Sequence, residues 1–318
     1  MGWIATTPEE RRRQLGSFLL GTGGIGGIAG ATGPGIGLSQ EEGHKLIDRA
    51  LDKEGFKVLD TADIYAAGAS EGIVGTWNAA HPDADVLIQT KTGVTAEGPN
   101  LAPDRVRRQL AHSVAVLGRV DLYIAHQVDP NTPWDQSLPV FSHAVESGVI
   151  RAYGLSNVDA AALSSALETA DRLKLVRPEL VQNQYSLLAR SDDQDVLPIV
   201  RSEGLAYTPY SPLATGLLAG RYSNGEQPAH GSRASIASRH ARYLDDEQVM
   251  VKIRAFDRLA AEHDVTSAGL ALAWLVNHPL VTAPIVAPSK ESQWTAVHEA
   301  QKLPWTSRLA DRLDSLFG

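Results

Sequence analysis

Residues 21–26 read Gly-Thr-Gly-Gly-Ile-Gly, a G-x-G-x-x-G string. In a doubly wound dinucleotide-binding fold the third glycine opens a helix directly, and an acidic residue follows about 20 residues on. Here Gly26 runs into Gly-Ile-Ala-Gly-Ala-Thr-Gly-Pro-Gly-Ile-Gly, ending at Gly37. Glycine and proline at that density do not make a helix. The next helix signal is Ser39-x-x-Glu42, a capping box, and the acid that ends the next strand, Asp60, comes too late. The string is therefore a loop after a strand. Its missing Cβ atoms let a flat ligand come close. Gly21, Thr22 and Gly23 are expected beside such a ligand, with Gly24 to Gly37 as a mobile wall of its pocket.

Outward from this loop the chain alternates apolar, β-branched runs with amphipathic helices. After Leu15–Thr22, strands are expected at 56–61, 85–91, 121–127, 150–157, 179–187, 205–213 and 281–288. Helical periodicity puts Leu46, Ile47, Ala50 and Leu51 on one face. Ser70 is the expected N-cap of the helix through 70–80, while Pro103 and Gly118 bracket another. Eight strands, each followed by a helix, imply an α/β fold with a parallel sheet buried on both faces. In this length they favour a single (β/α)8 TIM barrel over an open sheet. One domain over 1–318 is expected, with extra C-terminal helices. A long polar loop from Gly220 to about Asp245 separates strands seven and eight.

Composition narrows the function. With no Cys there is no disulfide, thiolate metal site or thiol nucleophile, and no metal is expected. Lys+Arg number 29 against 37 Asp+Glu, a formal charge of −8, which argues against nucleic acid or anionic membrane as a general partner. No apolar run suits a signal peptide or a membrane span, so a cytoplasmic protein is expected. Met1-Gly2 with Thr6 matches a myristoylation pattern, but Met-Gly is also a common start, and no lipid anchor is expected.

The strand ends carry the chemistry. Asp60 ends strand two with Tyr65 just behind it, Lys91 ends strand three and His126 ends strand four. Parallel strands bring these ends to one mouth, where barrel enzymes keep their active sites. Singly, each has a structural explanation: a turn cap, a rim tyrosine, a surface lysine, a buried histidine. Together they suit one task. A phenol, with an unperturbed pKa near ~10, is a weak acid at neutral pH. A neighbouring ammonium favours its phenolate, and a carboxylate keeps that ammonium charged when buried. An imidazole nearby can hydrogen-bond a carbonyl. Tyr65, Lys91, Asp60 and His126 thus compose a proton-donating site for carbonyl reduction. The later strand ends are neutral. Ser156, Asn157 and Gln182 suit a carboxamide, which needs donors and acceptors, and Tyr210 offers a ring for stacking. Ser289 and Lys290 stand at a helix N-terminus, which is an anion site or a plain N-cap with a surface lysine.

These segments resemble the aldo-keto reductase superfamily. The match lies in DTADIYAAGASE (60–71), the Thr90-Lys91 pair, YIAHQVDP (123–130), YGLSN (153–157), VQNQYSLL (181–188) and YSPLATGLLAG (210–220). It runs from about Leu15 to Ala300. The resemblance implies that Tyr65 is the general acid and base, tuned by Asp60 and Lys91, with His126 orienting the carbonyl. It places the nicotinamide carboxamide on Ser156, Asn157 and Gln182 and its ring on Tyr210. The pyrophosphate falls to Ser211, Pro212, Leu213, Gly216, Leu218 and Arg221. The adenosine phosphate falls to the segment from Ala287 through Ser289, Lys290 and Gln293, with NADPH/NADP+ as the expected cofactor. Ile25 and Trp134 join Tyr65 and His126 as expected substrate-pocket residues.

The sequence departs from the family pattern in places. Ala66 and Ala287 stand where glycine is common, and Val297 where asparagine is. The stretch TPEERRRQLGSF (7–18) suits a charged helix in place of the family's N-terminal β-hairpin. The expected function is reversible, NADPH-dependent reduction of an aldehyde or ketone, with a small-molecule carbonyl as partner. The alternatives are a cofactor-binding, redox-sensing module similar to potassium-channel β subunits, and a barrel isomerase or lyase without nicotinamide. The sequence specifies neither the substrate nor the oligomeric state.

Overall fold

The strand that ends at Gly21 packs between two others, and that packing explains its glycine. A Cβ at Gly21 would lie 2.9 Å from Ile285 Cγ2, so the close approach of neighbouring strands sets the residue. The computed structural model describes residues 2–28, 32, 36–223, 226 and 243–318. Its strands are β1 Leu19–Gly21, β2 Val58–Asp60, β3 Leu87–Thr92, β4 Leu122–Ala125, β5 Ala152–Ser156, β6 Leu180–Gln182, β7 Ala206–Tyr207 and β8 Ile285–Val286. They form one parallel sheet in the order β8, β1, β2, β3, β4, β5, β6, β7. At the remaining seam Thr282 N donates to Tyr207 O and Ile285 N to Pro209 O, both at 2.8 Å. The sheet thus curls round to its first strand, as a (β/α)8 barrel requires.

Period-two alternation divides each strand between two cores. Leu19, Val58, Leu122, Ile124, Ala152, Leu180, Ala206 and Ile285 meet inside the barrel. Leu20, Leu59, Ile88, Tyr123, Tyr153, Leu155, Val181 and Val286 face the surrounding helices. A strand apolar on both faces belongs in a parallel sheet covered on both sides.

The helices follow their sequence signals closely. Ser39 and Glu42 form the capping box of the helix Gln40–Asp52, which buries Leu46, Ile47 and Ala50. Pro103–Leu117 ends at Gly118 in the left-handed conformation. The expectation for Ser70 is corrected. The helix Ala69–Ala80 is capped by Gly68, and Ser70 lies fully buried inside it. The Ser70 hydroxyl meets those of Thr22 at 2.9 Å and Thr61 at 3.2 Å. It stitches the ends of β1 and β2 together rather than starting a helix. A short hairpin, Val94–Thr95 with Gly98–Pro99, follows β3. In the long loop before β8, residues 227–242 lie outside the described ones. After it come Glu247–Glu262, Ser267–Asn277, Trp294–Lys302 and Ser307–Phe317.

The other end of the barrel is closed by a helix, Pro8–Leu15, in place of a hairpin. Leu15 and Ile4 complete the inner core. Arg11 is 7% exposed. Its guanidinium donates to Ala5 O at 2.6 Å, to Leu205 O at 2.8 Å and to Gly204 O. Glu179 accepts from Trp3 N at 3.0 Å and Ile4 N at 2.6 Å. Arg11→Leu is expected to lower the free energy of urea unfolding by roughly 1–3 kcal/mol, the cost of stranding buried acceptors. The activity of the folded fraction should be unchanged.

Candidate active site

At the mouth, Lys91 points into the barrel from β3 and is 1% exposed, and Asp60, at the end of β2, is 2% exposed. Lys91 Nζ donates to Asp60 Oδ2 at 2.7 Å, Thr61 O at 2.8 Å and Tyr65 Oη at 3.3 Å. Asp60 Oδ1 accepts from Gln89 Nε2 at 2.5 Å and, from across the barrel, Gln182 Nε2 at 3.2 Å. Burial presses the ammonium towards neutrality, but Asp60 and Tyr65 outweigh it and hold the Lys91 pKa above the ordinary lysine value. The lysine keeps its charge beside a phenol.

Tyr65 is delivered by a tight turn in which Ala66, Ala67 and Gly68 have φ of 49°, 53° and 91°. Ala66 and Ala67 adopt this left-handed backbone at a cost. His126 follows β4 and meets the Tyr65 ring edge-on, centroids 6.0 Å apart. Its buried Nδ1 has no hydrogen-bonding partner among the described residues. Burial, assisted by the Lys91 charge, pushes its pKa down to about 3. The imidazole is neutral at physiological pH and can hydrogen-bond an oxygen without charging it. A carbonyl oxygen set among Tyr65, Lys91 and His126 could be oriented and protonated.

The opposite half of the mouth is neutral. Ser156 Oγ donates to Gln182 O at 2.6 Å. Asn157, at φ 55°, donates from Nδ2 to His126 O at 2.8 Å and Ser156 Oγ at 3.1 Å. Its Oδ1 accepts from Tyr210 Oη at 2.6 Å. One amide thus connects the ends of β4, β5 and β7. Beyond Tyr210 the backbone turns left-handed at Ser211, Ala214, Thr215 and Gly216, around Pro212 and Leu213, with Leu218 buried behind. Such conformations are costly for residues with a Cβ and gather at ligand sites. Arg221 is exposed just after them.

After β8, Ala287, Ser289 and Lys290 are exposed. Gln293 Oε1 accepts from Ser289 N at 2.6 Å and Lys290 N at 3.2 Å. The amides read from sequence as an anion site are thus capped by the chain's own glutamine.

Near the opening glycines, Thr22 Oγ1 bonds to Asp60 O at 3.1 Å, while Gly23 is half-buried. Residues 29–31 and 33–35 of the expected pocket wall lie outside the described residues. Its two ends are tied by Gly26 N to Leu38 O at 2.8 Å and Leu38 N to Gly24 O at 2.7 Å. Ile25 and Trp134, expected to line the pocket, are 1% and 9% exposed and sit in the helix-side core. Sequence reasoning missed Gln89, although period-two spacing from Lys91 gives it the same inward face.

Residues 20–317 match the model of the Aldo/keto reductase family. The chain belongs to this family. It is 30% identical over 300 residues to the uncharacterized oxidoreductase YrpG of Bacillus subtilis (strain 168), covering 89% of each. It is 30% identical over 273 residues to a probable voltage-gated potassium channel subunit beta of Oryza sativa subsp. japonica, covering 80% of each. An NADH-specific methylglyoxal reductase of Escherichia coli (strain K12) is 30% identical over 251 residues, 72% of this chain and 74% of that one. Among solved structures, a glycerol dehydrogenase from Gluconobacter oxydans shares the fold, with a TM-score of 0.80 at 24% identity over 95% of this chain and 91% of that one. This aldo-keto reductase is an NAD(P)H-dependent oxidoreductase acting on carbonyl or CH–OH groups. No described helix is long and apolar enough to cross a membrane.

The residues at the mouth fit a nicotinamide dinucleotide. Hydroxyl and amide groups from Ser156, Asn157 and Gln182 match a carboxamide in kind. The left-handed residues Ser211, Ala214, Thr215 and Gly216 are of the kind that form anion-binding backbone turns, and the cations Arg221 and Lys290 are exposed.

Two outcomes follow from these geometries. Because His126 is depressed from its usual 6.5 to about 3, its neutral form favours the fold above pH 6.5, and that contribution is lost as pH falls towards 3. Its ring 15N shifts should stay those of a neutral imidazole down to pH 5; an imidazolium signature at pH 6 would refute the burial argument. At the exposed Ala67, replacement by glycine should raise unfolding free energy by up to about 1 kcal/mol, because the native φ is left-handed. Urea titration measures it.

Proposed function

We propose that this aldo-keto reductase reduces an aldehyde or ketone to the alcohol, reversibly, with NADPH. The observation that carries the reading is the buried Lys91, charged by Asp60 and in contact with Tyr65 Oη. The reduced nicotinamide, when bound, supplies a hydride to the carbonyl carbon. Tyr65 gives its hydroxyl proton to the carbonyl oxygen, and Lys91 stabilises the phenolate left behind. In the reverse direction the phenolate takes the proton back from the alcohol. His126, neutral, donates a hydrogen bond that orients the carbonyl oxygen. Ser156, Asn157 and Gln182 would hold the carboxamide, and Tyr210 would stack on the ring. Ser211, Leu213, Gly216, Leu218 and Arg221 would line the pyrophosphate. Ser289, Lys290 and Gln293 would face the adenosine phosphate, where the Lys290 cation favours NADPH over NADH.

A panel of aldehydes, ketones and 2-oxoaldehydes, assayed with NADPH and NADH in parallel, tests substrate class and cofactor together. The likeness to a methylglyoxal reductase places methylglyoxal in that panel. Tyr65→Phe is expected to lower kcat/KM by roughly 10²–10⁴-fold, the usual worth of a positioned acid. Lys290→Met should raise KM for NADPH and leave NADH unaffected. Full activity in Tyr65→Phe would remove the proposed acid. Likeness to the channel β subunits favours a second reading, a cofactor-binding sensor. Tight NADPH binding with no turnover across the whole panel would establish it.

A further inference from the structure

Lys91 faces the barrel interior, so Thr92, the next residue on the strand, faces the other way, towards the helices. It is fully buried, and its bonds reach His126 directly and the Tyr65 turn through Asp63. Its carbonyl accepts from His126 N at 2.8 Å. Its hydroxyl donates to Asp63 Oδ2 at 3.0 Å and accepts from Arg105 Nη1, also at 3.0 Å. Asp63 stands two residues before Tyr65, and its own N–H donates to Lys91 O at 3.1 Å. Arg105, on the helix Pro103–Leu117, reaches Asp63 Oδ2 at 3.5 Å and donates to Asn100 O at 3.2 Å.

We propose that Thr92 is a positioning residue for carbonyl reduction, the node of a clamp with Asp63 and Arg105 that fixes Tyr65 and His126 in register with Lys91. The proposal rests on the reading that Tyr65 supplies the proton. Without the clamp, the Tyr65 turn would be held to β3 by the Asp63 N–H to Lys91 O bond and the Lys91 ammonium, and the 3.3 Å contact between Lys91 Nζ and Tyr65 Oη is long enough to be lost by a small shift.

The clamp also contains a titrating group. Asp63 Oδ1 is buried with no partner among the described residues. Burial raises the carboxyl to about 6, against the opposing pull of Thr92 and Arg105. Glu71 from the helix Ala69–Ala80 and the Tyr123 phenol from β4 share this space with Arg105, and Lys91 lies one residue along the strand. Below pH 6 the carboxylate is neutralised and Arg105 loses its ionic partner, so the clamp slackens on the acid side.

The test compares Thr92→Val, Thr92→Ser and Asp63→Asn with the wild type in kcat, KM and pH–rate profile. Thr92→Val should lower kcat roughly ten- to a hundredfold, the scale of an ångström of misplacement, with KM for NADPH changed by less than about threefold. Thr92→Ser should restore the wild-type rate. Asp63→Asn should abolish an acid limb near pH 6. A folded Thr92→Val with wild-type kcat and profile would overturn the proposal. If the wild type itself turns over no carbonyl, the functional reading fails independently. Crystal structures of wild type and Thr92→Val then decide the clamp alone: a displaced Tyr65 turn supports it, and an unmoved Tyr65–Lys91 contact overturns it.

Discussion

The ion pair between Lys91 and Asp60 is the constraint on which the mouth of this barrel depends. Two charges taken out of water are costly unless each finds full compensation, and removing one partner strands the other at about 3–5 kcal/mol. The barrel meets that requirement with exact register rather than with many charges. Gly21 pairs with Asp60 and Asp60 with Gln89, so the carboxylate is presented inward at the height of Lys91. Gln89 and Gln182 then satisfy its second oxygen from adjacent and opposite sides. A closed barrel is what allows a group on β6 to reach one on β2.

Around this pair the mouth divides into a charged half and a neutral half. Asp60, Lys91, Tyr65 and His126 belong to the first, and Ser156, Tyr210 and the left-handed turns after β7 belong to the second. Asn157 joins them by bonding both to the His126 carbonyl and to Tyr210. The proposed proton chemistry and carboxamide recognition would therefore share one amide, and neither half is positioned independently of the other.

Much of this was legible in the sequence. The failure of Gly21–Gly26 to open a helix argued against a dinucleotide fingerprint, and counting eight βα units gave the barrel and the strand-end residues Asp60, Lys91 and His126. The charged pattern of residues 7–18 pointed to the helix that closes the far end. What was not legible has physical causes. Strands were overestimated because apolar runs continue past the ladder: residues 179–187 read as one strand, but the continuous strand stops at Gln182 and only an isolated bridge, Gln184 with Tyr210, follows. There Asn183 turns its amide to Val158 and Asp192 instead. Ser70 carries the chemistry of an N-cap, yet Gly68 starts the helix first because the turn behind Tyr65 is already left-handed. Ile25 and Trp134 have pocket-like chemistry, but burial depends on contacts far apart in the chain, such as Ile25 against Gly43. Thr92 gives no local sign of its role, since its partners lie 29 and 13 residues away.

Gln293 has a consequence for ligand exchange. Its side-chain oxygen already occupies the N–H groups of Ser289 and Lys290, so an anion arriving there would meet an internal competitor tethered at high local concentration. Binding at that end would be a substitution of one acceptor for another. Its net gain is the difference between two sets of bonds, each worth about 1 kcal/mol. If an anionic group binds there as proposed, a displaced oxygen that stays within reach would also offer a route for release, so the side chain would set grip and exchange of that group together.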